Sequence, residues 1–175
     1  MKDIILADID GTIANPDKYL HLVQGKKRDY EAFHRASEDF ELNKWCYELL
    51  KGMFEQGYLV MFVSARPKAY LIETRNWLHR YFYEWTQAYS IHLVREDGSS
   101  EKDFKIKVDW LNRQGIKHRV LFAIDDRGQV ARAWRREGIT CLQCSSWEEE
   151  LQASKGVNPF GPQGDDFKTT GELGA

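Results

Sequence analysis

Two aspartates separated by one residue, Asp8 and Asp10, stand in the run Asp8-Ile9-Asp10-Gly11-Thr12 at the end of the first apolar stretch. On an extended strand side chains alternate with period two, so both carboxylates point the same way. Gly11 then lets the backbone break out of a sheet. Two later apolar runs end in comparable groups, one in Ser64-Ala65-Arg66 and one in Asp125-Asp126-Arg127. Three strand ends thus carry acids, a hydroxyl and two arginines. Two Asp pairs brought together would repel strongly unless positive charge lies between them. A divalent cation answers that need, and all-oxygen ligation favours Mg²⁺. Any one pair alone reads equally well as solvated turn residues; the coincidence of three does not.

The elements that must position these groups follow from the apolar pattern. Ile4–Ile9, Tyr58–Val63, Val120–Ile124 and Ile139–Leu142 are short, nearly continuous apolar runs rich in β-branched residues, with Tyr89–Val94 a weaker fifth. Such runs read as strands buried on both faces of a parallel sheet. Helical patterns occupy about 41–56, 67–82, 103–114 and 127–137, the second opening on Pro67, a residue favoured in a first helical turn. Alternating strands and helices predict an α/β fold with a mainly parallel sheet. In open parallel sheets ligands bind in the crevice at the C-terminal strand ends, where these acids fall. The domain is expected over residues 1–152. A polar insertion over 13–40, with a short helix near Tyr30–Ala36, is sized for a lid or rim; residues 153–175, rich in Gly, Pro, Asp and Ser, read as an extended tail.

Composition narrows the class. With 175 residues the chain suits one domain. Its 25 Lys+Arg against 27 Asp+Glu give a net charge of −2, which disfavours a polybasic coat along nucleic acid. No apolar run is long enough to span a bilayer, and Met1-Lys2-Asp3 leads straight into a strand without a signal-peptide pattern. Cys46, Cys141 and Cys144 make an odd count, Cys141-Leu-Gln-Cys144 reads as strand residues, and a reducing cytoplasm is the default location. Trp77, Trp110 and Trp134 fall in helical patterns and are expected in the core; Trp85, Tyr81, Tyr83 and Tyr89 are placed nearer a rim, and the histidines, His34 among them, are read as ordinary.

Asp8-Ile-Asp10-Gly-Thr12, Ser64, a downstream Lys and Asp125-Asp126 resemble the four motifs of the haloacid dehalogenase (HAD) superfamily of phosphotransferases. Ser64-Ala-Arg66 with Thr74-Arg75-Asn-Trp77, Val94-Arg95-Glu-Asp-Gly98 with Lys102-Asp103 and Lys107, and Ala123-Ile-Asp-Asp-Arg-Gly-Gln-Val130 with Trp134-Arg-Arg-Glu-Gly138 are similar to the 3′-phosphatase domains of phage polynucleotide kinases. The resemblance spans roughly residues 2–147 and implies a three-layer HAD-like (Rossmannoid) fold. It implies Asp8 as nucleophile and Asp10 as general acid and base, its backbone carbonyl also meeting the metal. Ser64 and Lys107 would contact the phosphoryl group, and Asp103, one turn before Lys107, would orient it. Asp8, Asp10, Asp125 and Asp126 would form the Mg²⁺ site, with Asp125 and Asp126 acting directly or through water. Thr12 and Arg66 would bind substrate; Arg127 would do so or would form a salt bridge to a neighbouring Asp. The implied reaction removes a 3′-terminal phosphate from a DNA or RNA end. A mononucleotide phosphatase with 13–40 as a lid, or a silent module that binds phosphorylated ends, keeps the same fold. No GxxxxGK[ST] occurs, so 5′-phosphorylation is not expected from this chain, and a separate kinase or ligase would complete end repair.

Overall fold

The computed structural model describes residues 2–24, 26–85 and 89–144; the expected tail at 153–175 lies outside the described residues. The elements run β1 (Ile4–Ala7), β2 (Ala14–Asn15), α1 (Tyr30–Arg35), β3 (Glu41–Leu42), α2 (Lys44–Glu55) and β4 (Leu59–Pro67). They continue through α3 (Leu71–Phe82), β5 (Tyr89–Arg95), α4 (Asp103–Gln114), β6 (Val120–Asp125), α5 (Gly128–Arg136) and β7 (Cys141–Gln143). Five strands form one parallel sheet in the order β5-β4-β1-β6-β7.

β1 is the middle strand, and all four of its residues are buried. Its alternation divides the core in two. Ile5 and Ala7 pack with Leu50 of α2 and with Trp77, Leu78 and Phe82 of α3. Ile4 and Leu6 pack on the other face with Trp110 and Leu111 of α4 and with Val130 and Trp134 of α5. Helices on both faces make the three-layer α/β arrangement that near-continuous apolar strands require. Register then fixes the site. Ala7 lies opposite both Phe62 of β4 and Ile124 of β6, so Asp8, Ser64 and Asp125 all emerge at the same edge of the sheet.

The boundaries differ from the sequence pattern in instructive places. Pro67 does not open a helix: β4 runs through it, pairing Pro67 with Arg95 of β5, and a 3₁₀ turn over Lys68–Tyr70 precedes α3. Residues 41–42 form β3, which pairs antiparallel with β2, and α2 begins only at Lys44. The insertion holds more than one short helix, since 3₁₀ turns at Asp17–Leu22 and Ala36–Asp39 flank α1. Trp77, Trp110 and Trp134 are buried as expected, but so is Trp85, which stacks on Phe54 instead of forming a rim. Among the described residues no helix is long and apolar enough to cross a membrane.

Candidate active site

Lys107 is the buried centre of charge. Its Nζ lies 2.8 Å from Asp8 Oδ1 and 2.8 Å from Asp125 Oδ2, with all three side chains almost wholly shielded from water. Position on α4 explains this: the helix that buries Trp110 and Leu111 against the sheet also carries Lys107 over the ends of β1 and β6. Burial works against the ammonium, but Asp125 and Asp8 more than offset it and hold the Lys107 pKa above the ordinary lysine range. Burial pushes Asp8 the other way from a normal acid, up from the usual carboxylate range; Lys107 opposes the shift and Asp125 adds to it. The second Asp125 oxygen accepts a hydrogen bond from the Arg127 backbone N–H at 3.1 Å.

Asp10 occupies a different environment. Its Oδ2 accepts from Arg66 Nε at 2.8 Å and its Oδ1 from Arg66 Nη2 at 2.5 Å, a two-pronged clamp. Burial raises the Asp10 pKa, but the guanidinium outweighs it and holds the carboxyl below its ordinary value. Asp10 does not add a fourth carboxylate to the acidic cluster, because Arg66 holds its side chain. Arg66 lines the cavity, with its side chain 0% exposed; its Nη1 donates to Thr74 Oγ1 at 3.0 Å, and it lies 5.8 Å over the Phe40 ring.

The remaining candidates separate. Ser64 lines the cavity, and its Oγ accepts from the Arg66 backbone N–H at 3.2 Å, which leaves the hydroxyl proton to donate elsewhere. Thr12 is fully buried with its Oγ1 3.7 Å from Cys144 Sγ, so the expectation that it contacts substrate gives way to a packing role inside the turn. Asp103 does not orient Lys107; its carboxylate pairs with both Arg95 and Arg127. Arg127 therefore takes the salt-bridge alternative while still lining the cavity. Arg95, to which the sequence pattern assigned no role, also donates to the carbonyls of Ala65 (2.8 Å), Ser99 (2.9 Å) and Glu101 (2.7 Å), tying the loop before α4 to the end of β4. Asn43 was missed too: its Nδ2 donates to the Thr12 carbonyl at 2.8 Å, fastening the acidic turn to the start of α2. The sequence pattern placed Asn43 inside the helical stretch 41–56, whereas it stands at the N-cap of α2.

Asp8, Asp125 and Asp126 can each offer one carboxylate oxygen, and these oxygens lie within 4.8 Å of one another. The donor set fits Mg²⁺, a hard cation that is bound through one or two carboxylates together with water and phosphate oxygens. Gly11 completes the fit. It adopts φ +80, and a Cβ there would fall 2.3 Å from Asp126 Oδ2, so only glycine lets this carboxylate close over the turn. The acids open into a cavity of about 1060 Å³, lined among others by Asp8, Asp10, Ser64, Lys107 and Asp126, with Tyr30 and His34 from the insertion.

Comparison with known proteins agrees with this geometry. Residues 2–148 match the family described as the polynucleotide kinase PNKP phosphatase domain. A solved structure of the Pnkp1/Rnl/Hen1 RNA repair complex contains a chain similar to this one, with TM-score 0.64 and 28% identity, over 81% of this chain and 42% of that one. A candidate bifunctional polynucleotide kinase/RNA ligase of Autographa californica nuclear polyhedrosis virus is 27% identical over 135 residues, covering 75% of this chain and 17% of the viral protein. This chain therefore spans less than half the length of either relative. A hydrolase from Streptococcus pneumoniae shares the fold alone, with TM-score 0.53 and 14% identity over 90% of this chain and all of that one. With its five-stranded parallel sheet, its acidic cluster at the strand ends and a match that covers nearly every described residue, the chain belongs to the PNKP phosphatase-domain family of HAD hydrolases.

Proposed function

We propose that this chain is a Mg²⁺-dependent phosphomonoesterase that removes 3′-terminal phosphate from DNA or RNA ends through an aspartyl-phosphate on Asp8. The observation that carries the reading is the buried Asp8–Lys107–Asp125 triad beside Asp126, opening on one cavity at the sheet's C-terminal edge. Asp8, Asp126 and Asp125, with the Asp10 backbone carbonyl, are the groups that would hold Mg²⁺. Bound there, the ion would offset the charge of the acids and of the phosphoryl oxygens. It would also favour the ionised form of Asp8 that burial alone opposes.

The chain's own groups then divide the work. An Asp8 carboxylate oxygen attacks phosphorus while the bond from phosphorus to the 3′ oxygen breaks, and Asp10 gives its proton to the departing oxygen. In the second half Asp10 takes a proton from water, the water oxygen attacks phosphorus, and the bond to Asp8 breaks to release inorganic phosphate. The Arg66 clamp favours the ionised form of Asp10, the form that takes a proton from water in the second half; in the first half Asp10 must carry its proton against that clamp. Lys107 has three donors; two meet Asp8 and Asp125, and the third would meet a phosphoryl oxygen. Ser64 would donate its hydroxyl proton to a second phosphoryl oxygen. Phosphoryl transfer depends mostly on such positioning and charge stabilisation.

The family and its named relatives support a nucleic-acid end as substrate, with a kinase or ligase activity acting beside this one in end repair. Incubation with a 3′-phosphorylated oligonucleotide and Mg²⁺ is expected to release phosphate, and to stop on chelation or in Asp8→Asn. Brisk hydrolysis of mononucleotides without release from the oligonucleotide would replace this assignment with a nucleotidase. Unchanged turnover in Asp8→Asn would place the nucleophile elsewhere.

A further inference from the structure

The cavity is larger than a phosphate needs. At about 1060 Å³ it matches the upper end of sites that enclose whole organic ligands. Part of its wall, on the insertion side, is aromatic. Tyr30 and His34 stand four apart on α1 and so share one helix face. The His34 ring packs against Tyr70, from the turn after β4, with centroids 4.9 Å apart. All three line the cavity, and Tyr30 is 52% exposed. At the exposed end Arg28 Nη1 donates to the Tyr30 hydroxyl at 3.2 Å, setting a cation beside that ring. His34 Nδ1 has no hydrogen-bond partner, and the ring packs against both Tyr70 and Phe33.

We propose that Tyr30, His34 and Tyr70 form a stacking platform for the nucleobase of the terminal nucleotide, holding its sugar and phosphate toward Asp8. The inference rests on the nucleic-acid reading above and names how that substrate is gripped. A packed His34–Tyr70 pair with Tyr30 on the same helix face as His34 suits a flat heterocycle of any sequence, because every base has a π-face. The cationic Arg28 beside Tyr30 suits the next phosphodiester. A compact phosphosugar would leave these rings uncovered.

Two measurements separate this claim from the reading it rests on. The first compares kcat/KM for a 3′-phosphorylated oligonucleotide ending in a normal nucleotide and for one ending in an abasic residue. The expected preference for the base is roughly 5- to 150-fold, the range for one stacked base. It should collapse toward unity in Tyr70→Ala and in Tyr30→Ala, and persist in Tyr70→Phe. Equal rates on both substrates in the unmodified protein would overturn the platform while leaving the phosphatase intact. The second needs no turnover: Asp8→Asn is titrated with an oligonucleotide ending in 2-aminopurine 3′-phosphate, whose fluorescence falls on stacking. Quenching that is lost in Asp8→Asn/Tyr70→Ala supports the platform even if 3′-phosphates are not hydrolysed. Binding without quenching rejects it.

Discussion

At the scale of single residues, Lys107 sets the charge balance of the site. It is 1% exposed, and Asp8 and Asp125 both lean on it. Lys107→Met keeps much of the side chain's length but leaves two buried carboxylates without their cation. Losing one partner of a buried ion pair costs about 3–5 kcal/mol, and the loss is expected in urea unfolding of the metal-free protein. Added Mg²⁺ should restore part of it, and on the proposed mechanism, which loses a donor to the phosphoryl group, activity should fall by at least ~100-fold. Unaltered stability in metal-free buffer would mean that the acids are compensated by another group. In the sequence Lys107 stands out through its spacing from Asp103, a relation along one helix. What holds it in space is far away in the chain. Likewise Arg66 reads in sequence as a phosphate ligand, because nothing in Ser64-Ala65-Arg66 shows that its fork will close on Asp10. Ion-pair partners that meet across strands leave no mark in local spacing.

Elements bring these residues together, and the tightest constraint lies in the turn after β1. Gly11 sits where a methyl group would strike the Asp126 carboxylate at 2.3 Å, on a backbone with φ +80. Gly11→Ala is therefore expected to push Asp126 away from Asp8 and Asp125. Calorimetric titration should show Mg²⁺ affinity reduced roughly 10- to 100-fold, as when a group that supports metal ligands is removed. An unchanged affinity would show that Asp126 lies outside the metal site. The principal strands were legible because short apolar runs rich in β-branched residues, bounded by polar breaks, suit a strand covered on both faces and are too short for a buried helix. The paired strands Ala14–Asn15 and Glu41–Leu42 were not, since two residues carry no periodicity. Nor was the extension of β4 to Pro67, which depends on a register with Arg95 rather than on local preference. In the insertion, Asp29 caps α1 by accepting from the Ala32 N–H at 2.8 Å, a signal strong enough for the helix but silent about the turns beside it.

For the molecule as a whole, two cores on either side of one sheet shield what lies between them. All three cysteines are free, and burial pushes the thiols of Cys141 and Cys144 up to about 12, with Cys46 raised further. At pH 8 only about one part in ten thousand of a thiol with such a pKa is ionised, and thiolate is the reactive form. Titration with an aromatic disulfide is expected to find almost no reactive thiol in the folded protein and three after denaturation. Prompt reaction of Cys46 or Cys141 in the native state would place it outside the packed layers, and prompt reaction of Cys144, half-buried against the cavity, would mean that its pKa is not raised. The middle position of β1 has another consequence, one measured in time. Asp8 is synthesised more than a hundred residues before Asp126, and the partner strands β4 and β6 that flank it come from the middle and the last third of the described chain. At translation speeds of 5–20 residues per second, roughly 6–24 s separate the first acid of the site from the last. Until β4 is made both edges of β1 are open, its other edge waits for β6, and its carboxylates lack their lysine until Lys107 and their acidic neighbours until Asp125 and Asp126. The nascent chain is thus inert toward phosphate and exposed to mispairing until its own later strands arrive.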